Sequence, residues 1–195
     1  MSERITFGTE GVQQKESLRP RLTVKAGPRG SFPDKERAMQ RGVETIDPVH
    51  DKGSAISSIS TLNKRSLGYT VCPGLVFLAK DASGENISFT THQVPMTNPE
   101  FLREYKEKIS TRLQEFVTRA RPGSIDAAFF CGEQTGDADA QSAKNAWYET
   151  MREALGEVVR SVAGVEPRLV DRPNREGESA DVFLDTQAAT LYIER

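Results

Sequence analysis

The chain contains two cysteines and two histidines, and one of each falls in neighbouring stretches. Cys72 sits in Ser66-Leu-Gly-Tyr-Thr-Val-Cys72-Pro-Gly-Leu-Val-Phe-Leu-Ala-Lys80, and His92 follows twenty residues later in Thr91-His92-Gln93-Val94-Pro95. A thiol becomes a good nucleophile when an imidazole takes its proton or when backbone N–H groups stabilise its thiolate. The intervening Asp81-Ala-Ser-Gly-Glu-Asn86 is turn chemistry, and a turn near Ser83 and Gly84 sets His92 opposite a residue close to Cys72. The offset is about three positions, or roughly 10 Å at ~3.4 Å per residue, which bending and side-chain reach can close. Pro73 cannot donate to a ladder and Gly74 weakens a strand interior, so a bend after Cys72 is expected, with amides free to face an oxyanion. The competing reading is inert packing: a small buried thiol and a satisfied imidazole at a strand end.

The other reactive residues point to less. Cys131 closes an apolar run with no histidine near it, which fits a packing role. His50 lies in a polar stretch and is expected to be exposed. Asp137 and Asp139 lack the later ligands of a calcium loop, so no metal is expected. Phosphate-cradling glycine loops and helical zinc motifs are missing from the sequence. A net charge of −2 and an isoelectric point near 5.8 argue against a nucleic-acid partner. Cysteines 59 positions apart form no disulfide framework, which suits a reducing compartment. No apolar run is long enough for a membrane span or a Sec leader. The expected location is the cytoplasm, or delivery as an effector by a route without a Sec signal.

Those side chains need elements to carry them. With 36% hydrophobic and 28% charged residues and a mean hydropathy of −0.53, the 195 residues suggest a modest core joined to a poorly packed segment. Residues 1–60 have sparse apolar side chains and read as a polar, largely disordered or draped extension, leaving 61–195 as the domain. Within the extension, Arg21–Lys25 has the look of a short strand and Asp34 of a helix cap. From Gly74 to Ala79 the run is apolar throughout, as in a strand covered on both faces. Ile87–Val94 alternates as a half-buried strand does. Asn98-Pro-Glu opens a helix with a buried stripe from Phe101 to Val117, ended by Arg121-Pro-Gly. A strand over 125–131, a helix from Ser142 to Val162 stopped by Gly164, a short edge strand over 165–170 and a terminal hairpin follow. The order β-β-α-β-α-β-β-β predicts an α+β fold, a mixed-sheet α/β sandwich with two main helices.

Over residues 66–195 this layout resembles the CheD-type chemoreceptor glutamine deamidases. Ser66-Leu-Gly-Tyr-Thr-Val-Cys72 stands where that family has Thr-Leu-Gly-x-Gly-Ser-Cys. His92-Gln-Val-Pro95 is similar to its histidine and apolar-Pro stretch, Glu104-Tyr-Lys106 to its Lys-Tyr helix start, and Ala127–Gly132 to its strand ending in Gly-Gly-Ala. Ala143-Lys-Asn145 echoes the opening of its second helix, and Val182–Ile193 its last hairpin. Departures are Thr70-Val71 for Gly-Ser, a single Gly132, and the long segment ahead of Ser66.

The resemblance implies a cysteine-dependent protein-glutamine deamidase with Cys72 as nucleophile, His92 as base and Ser66 orienting the imidazole. It implies no cofactor. The partner would be a protein bearing a target glutamine, in chemotaxis or as the target of an effector. A monomer is expected. Alternatives from the same residues are a catalytically silent CheD-like adaptor and a thiol protease or transglutaminase-like acyl transferase.

Overall fold

A computed structural model describes residues 21–48, 53–94, 98–134 and 142–195. Among the described residues, ten strands and three helices run β1 (Thr23–Gly27), α1 (Pro33–Met39), β2 (Val43–Ile46), β3 (Ser54–Ile56), β4 (Asn63–Tyr69), β5 (Pro73–Lys80), β6 (Asn86–Gln93), α2 (Pro99–Arg119), β7 (Asp126–Cys131), α3 (Ser142–Ala163), β8 (Arg168–Leu169), β9 (Ala180–Asp185) and β10 (Thr190–Glu194). From β5 onward the order is the expected β-β-α-β-α-β-β-β, and the fold is α+β with mixed sheets.

The strands divide between two five-stranded sheets, β1-β10-β9-β4-β2 and β3-β6-β5-β7-β8. Each has antiparallel pairs at its centre and parallel pairs at its edge: β1 with β10 and β2 with β4 in one, β7 with β8 in the other. Alternation along the strands builds the layers. Leu75, Phe77 and Ala79 of β5 face Tyr105, Ile109, Leu113 and Phe116 of α2 and Met151, Leu155 and Val159 of α3. Val76 and Leu78, on the other face, meet Val182, Leu184, Leu191 and Ile193 of the second sheet. Phe183 and Tyr192 point outward against Ala38 of α1. The result is a stack of helix pair, sheet, sheet and single helix. Covering β5 on both faces explains its unbroken apolar run.

The expected helix ends are matched within one or two residues. The Asn98 side chain accepts from the Glu100 amide with Pro99 in the first turn, and Gly164, at φ 65°, closes α3 through its amide on the Arg160 carbonyl.

The expected extension over 1–60 is corrected for the part described. From residue 21 on it supplies β1 and β2 to one sheet, β3 to the other, and α1 as the helix packed on Phe183 and Tyr192. These strands are short and sit at sheet edges, so they need few apolar residues and are held by polar ties that composition does not reveal. The Leu22 amide donates to Asp126 Oδ2 at 2.8 Å, and Arg168 Nη2 donates to the Leu22 carbonyl at 2.6 Å. Asn63 Nδ2 donates to the Ala38 carbonyl, and Lys64, wholly enclosed, reaches Glu44 at 2.8 Å. β1 pairs with β10 and β4 with β9, so the terminal hairpin has partners of its own and a second sheet forms. His50, Pro95, Asp137 and Asp139 lie outside the described residues.

Candidate functional site

Ser66 is on β4 in one sheet and His92 on β6 in the other, and the structure brings them together across the interior. Ser66 Oγ and His92 Nδ1 are 2.8 Å apart, and both residues are buried. Ser66 Oγ also lies 3.0 Å from the Ile46 carbonyl, to which it donates. A carbonyl can only accept, and a serine hydroxyl has a single proton. That proton is committed to Ile46, so Nδ1–H must donate to Oγ. Nε2 is then the unprotonated nitrogen, and it is buried without a hydrogen-bond partner. An imidazole in this tautomer carries a free basic lone pair.

Tyr69 covers the ring. Its centroid is 3.7 Å from that of His92 with an 11° interplanar angle, and its Oη donates to the Thr91 carbonyl at 3.0 Å. Burial pushes His92 down to about 4, against a smaller upward pull from Asp47 after β2. The neutral imidazole is therefore the resting form at neutral pH.

Cys72 stands just before β5 and is 7% exposed. Desolvation pushes its thiol up to about 11, partly opposed by the Thr70 amide directed at the sulfur. The sulfur makes no hydrogen bond to Nε2, so the resting pair is a thiol and a neutral imidazole, not an ion pair. The expected bend at Pro73-Gly74 is corrected: both residues pair with β7, at Cys131 and Phe130. Gly74 is required instead by close approach, since a Cβ there would stand 2.8 Å from the Thr91 carbonyl and collide with the Phe130 ring. The departure from the ladder lies on the β6 side, where backbone pairing ends at Val76 and Thr90. Beyond it the Leu75 amide donates to Thr91 Oγ1, and Thr90 Oγ1 donates to the Leu75 carbonyl.

The backbone around Cys72 is clamped from the other side. Cys131 has φ 57°, a conformation costly for a side chain with a Cβ, and Gly132 after it has φ 79°. The Gly132 amide donates to the Cys72 carbonyl at 2.9 Å. Cys131 is itself buried and its thiol is raised by desolvation, consistent with packing. Asn174, fully buried in the loop before β9, donates through Nδ2 to the Tyr69 and Thr70 carbonyls, both at 2.7 Å, and accepts from Arg195 Nε at 3.0 Å.

Ser66 and His92 are thus in direct contact, while Cys72 lies with Tyr69 in the cluster between the sheets. Tyr69 and Asn174 were not singled out from the sequence. Tyr69 lay inside the cysteine stretch as a spacer, and Asn174 lay in a charged loop that offers no signal. Among the described residues no group of three or more His, Cys, Asp and Glu side chains is placed to hold a metal, and no helix is long and apolar enough to cross a membrane. Neither the family models nor the curated proteins contain a match to this chain.

Proposed function

We propose that the protein is a cysteine-dependent deamidase of glutamine side chains, of the CheD-like type, acting on a partner protein. The observation that carries this reading is the Ser66–His92 hydrogen bond, which joins residues 26 apart and on different sheets. It supports the orienting role that the resemblance gives Ser66, and through Ile46 it leaves Nε2 as a free base.

Cys72 Sγ attacks the carboxamide carbon while Nε2 takes the thiol proton. The resting pair is neutral, so proton transfer accompanies attack and does not precede it. The imidazolium returns the proton to the amide nitrogen and ammonia leaves, giving a thioester. Water, deprotonated by His92, then adds to the thioester. Glutamate and the free thiol are the products. The chemistry asks for no metal or organic cofactor. A neutral amide becomes a carboxylate, a change suited to switching a partner.

The test is ammonia release from carbobenzoxy-glutaminyl-glycine and from casein. Wild-type protein should release ammonia and Cys72→Ala none. His92→Ala should be slower by ~10²–10⁴-fold, the usual contribution of general acid–base catalysis. Ammonia release retained by Cys72→Ala sinks the reading. Peptide cleavage or amine incorporation in place of free ammonia would move it to a protease or acyl transferase.

A second reading, the catalytically silent adaptor, is favoured by one specific observation: the enclosed thiol, raised to about 11 and not hydrogen-bonded to the imidazole. It expects no ammonia from either substrate, and alkylation of Cys72 that stays slow until the pH passes 9.

A further inference from the structure

Ser66 and Tyr69 are three residues apart on β4, an odd spacing that puts side chains on opposite faces of a regular strand. Here both are buried and both touch the same imidazole. The register shows how. Ser66 pairs with Val182 and Tyr69 with Ala180, so three steps on β4 match two on β9, a bulge. Gly68 sits inside it at φ 74°, the left-handed conformation that glycine adopts without strain, while open space surrounds its Cβ position. Glycine is thus needed for its backbone, not for room. The bulge turns Tyr69 inward beside Ser66.

The two contacts divide the work. Ser66 holds the imidazole by one edge at Nδ1, which leaves rotation about that hydrogen bond open. Tyr69 closes that freedom by lying parallel over the ring face. Tyr69 is itself held at three points: its Oη on the Thr91 carbonyl, its ring beside Phe130 with centroids 5.4 Å apart, and its carbonyl on Asn174 Nδ2. Since Thr91 precedes His92, one side chain grips both the histidine ring and the backbone that carries it.

We infer that Tyr69 is the positioning residue of this site, fixing the plane of the His92 ring, whose tautomer Ser66 sets, so that Nε2 presents its lone pair in one direction. The role rests on the deamidase reading, in which His92 is the base. Around the ring stand Ser66 and Tyr69 from β4 and the carboxylate of Asp47 after β2, which pulls the imidazole upward.

The test uses the full chain and NMR of the ¹⁵N-labelled imidazole, together with ammonia release from carbobenzoxy-glutaminyl-glycine. Wild-type His92 should populate a single tautomer, Nδ1–H, and titrate well below the ordinary histidine range. Tyr69→Phe keeps the stack and should preserve both properties, with kcat within about threefold. Tyr69→Leu should free the ring to turn about the Ser66 hydrogen bond, raise the titration point by at least one unit and lower kcat roughly 10–100-fold with KM unchanged, the scale expected of a misplaced base. A folded Leu variant with wild-type titration and kcat overturns the proposal. If that variant does not fold, a wild-type chain in which NMR finds no contact between the Tyr69 and His92 rings overturns it without any substitution. A locked imidazole in a protein that releases no ammonia refutes the deamidase reading alone and leaves the positioning role in place.

Discussion

The two faces of the β3-β6-β5-β7-β8 sheet are built on opposite terms. Against the helices it presents Leu75, Phe77, Ala79 and Phe89, packed on Phe116 with Phe77 and Phe89 stacked at 4.4 Å. Nothing there has chemistry to offer. Against the second sheet it presents Val76, Leu78 and Phe130, but at one end also His92, met by Ser66 and Tyr69 from the other side. Burying polar groups costs free energy unless they are paired, and His92 Nε2 is left unpaired there, as the Tyr105 and Tyr148 hydroxyls are on the helix side. The helix face contributes stability, and the inter-sheet face spends part of it on an oriented base. Unsatisfied buried atoms of this kind call for an explanation, and catalysis is one.

Substitutions on the two faces should therefore separate stability from activity. The largest effect belongs to Cys72→Ala, which should abolish ammonia release while shifting the thermal midpoint by no more than a few degrees. Phe116→Ala, on the helix face, should do the reverse: about 3–5 kcal/mol of stability lost in denaturant titration, with kcat preserved well below the midpoint. Loss of activity out of proportion to unfolding in that variant would break the division between the faces.

A pH effect of similar size belongs to the inter-sheet face. His92 is held at about 4 in the folded chain against 6.5 when unfolded. Between those values the unfolded chain binds the extra proton, so stability is complete above pH 6.5 and is lost as the pH falls toward 4. The depression corresponds to something on the order of 3 kcal/mol. Denaturation midpoints measured from pH 7 to pH 4 should fall in the wild type and fall less in His92→Leu. Cys72 has the opposite sign. Its thiol is raised, so its contribution is present below pH 9 and disappears toward about 11.

A smaller effect is expected of Asn174→Ala. Losing its two bonds to the Tyr69 and Thr70 carbonyls should cost about 1–3 kcal/mol and lower kcat more than it raises KM. The smallest is Asn98→Ala at the start of α2, about 1 kcal/mol by thermal melt with activity unchanged.

Much of this architecture was legible along the chain because it rests on local rules. Asn98-Pro99 marks a helix start, Gly164 a helix stop, and the period of Tyr105, Ile109, Leu113 and Phe116 a buried stripe. The apolar run of β5 announces two covered faces, and Asp81–Asn86 a turn, so the hairpin carrying Cys72 and His92 follows from short-range signals. Cys72, His92 and Ser66 were candidates on residue type and on a family resemblance, both properties of sequence.

What required the tertiary structure is everything that depends on distant partners. β1 shows in the sequence as a short strand, but β2 and β3 are too short and polar to declare themselves, and all three are held by edges of formed sheets and ties such as Asp126 to Leu22. The contact between Ser66 and His92 depends on two sheets stacking, which no local pattern encodes. The tautomer of His92 follows from a carbonyl at Ile46, and its orientation from a bulge that turns Tyr69 inward. The low His92 and high Cys72 values come from burial, which is a property of the assembled layers. The reactive groups are written in the chain, but their direction and protonation arise only when remote strands close over them.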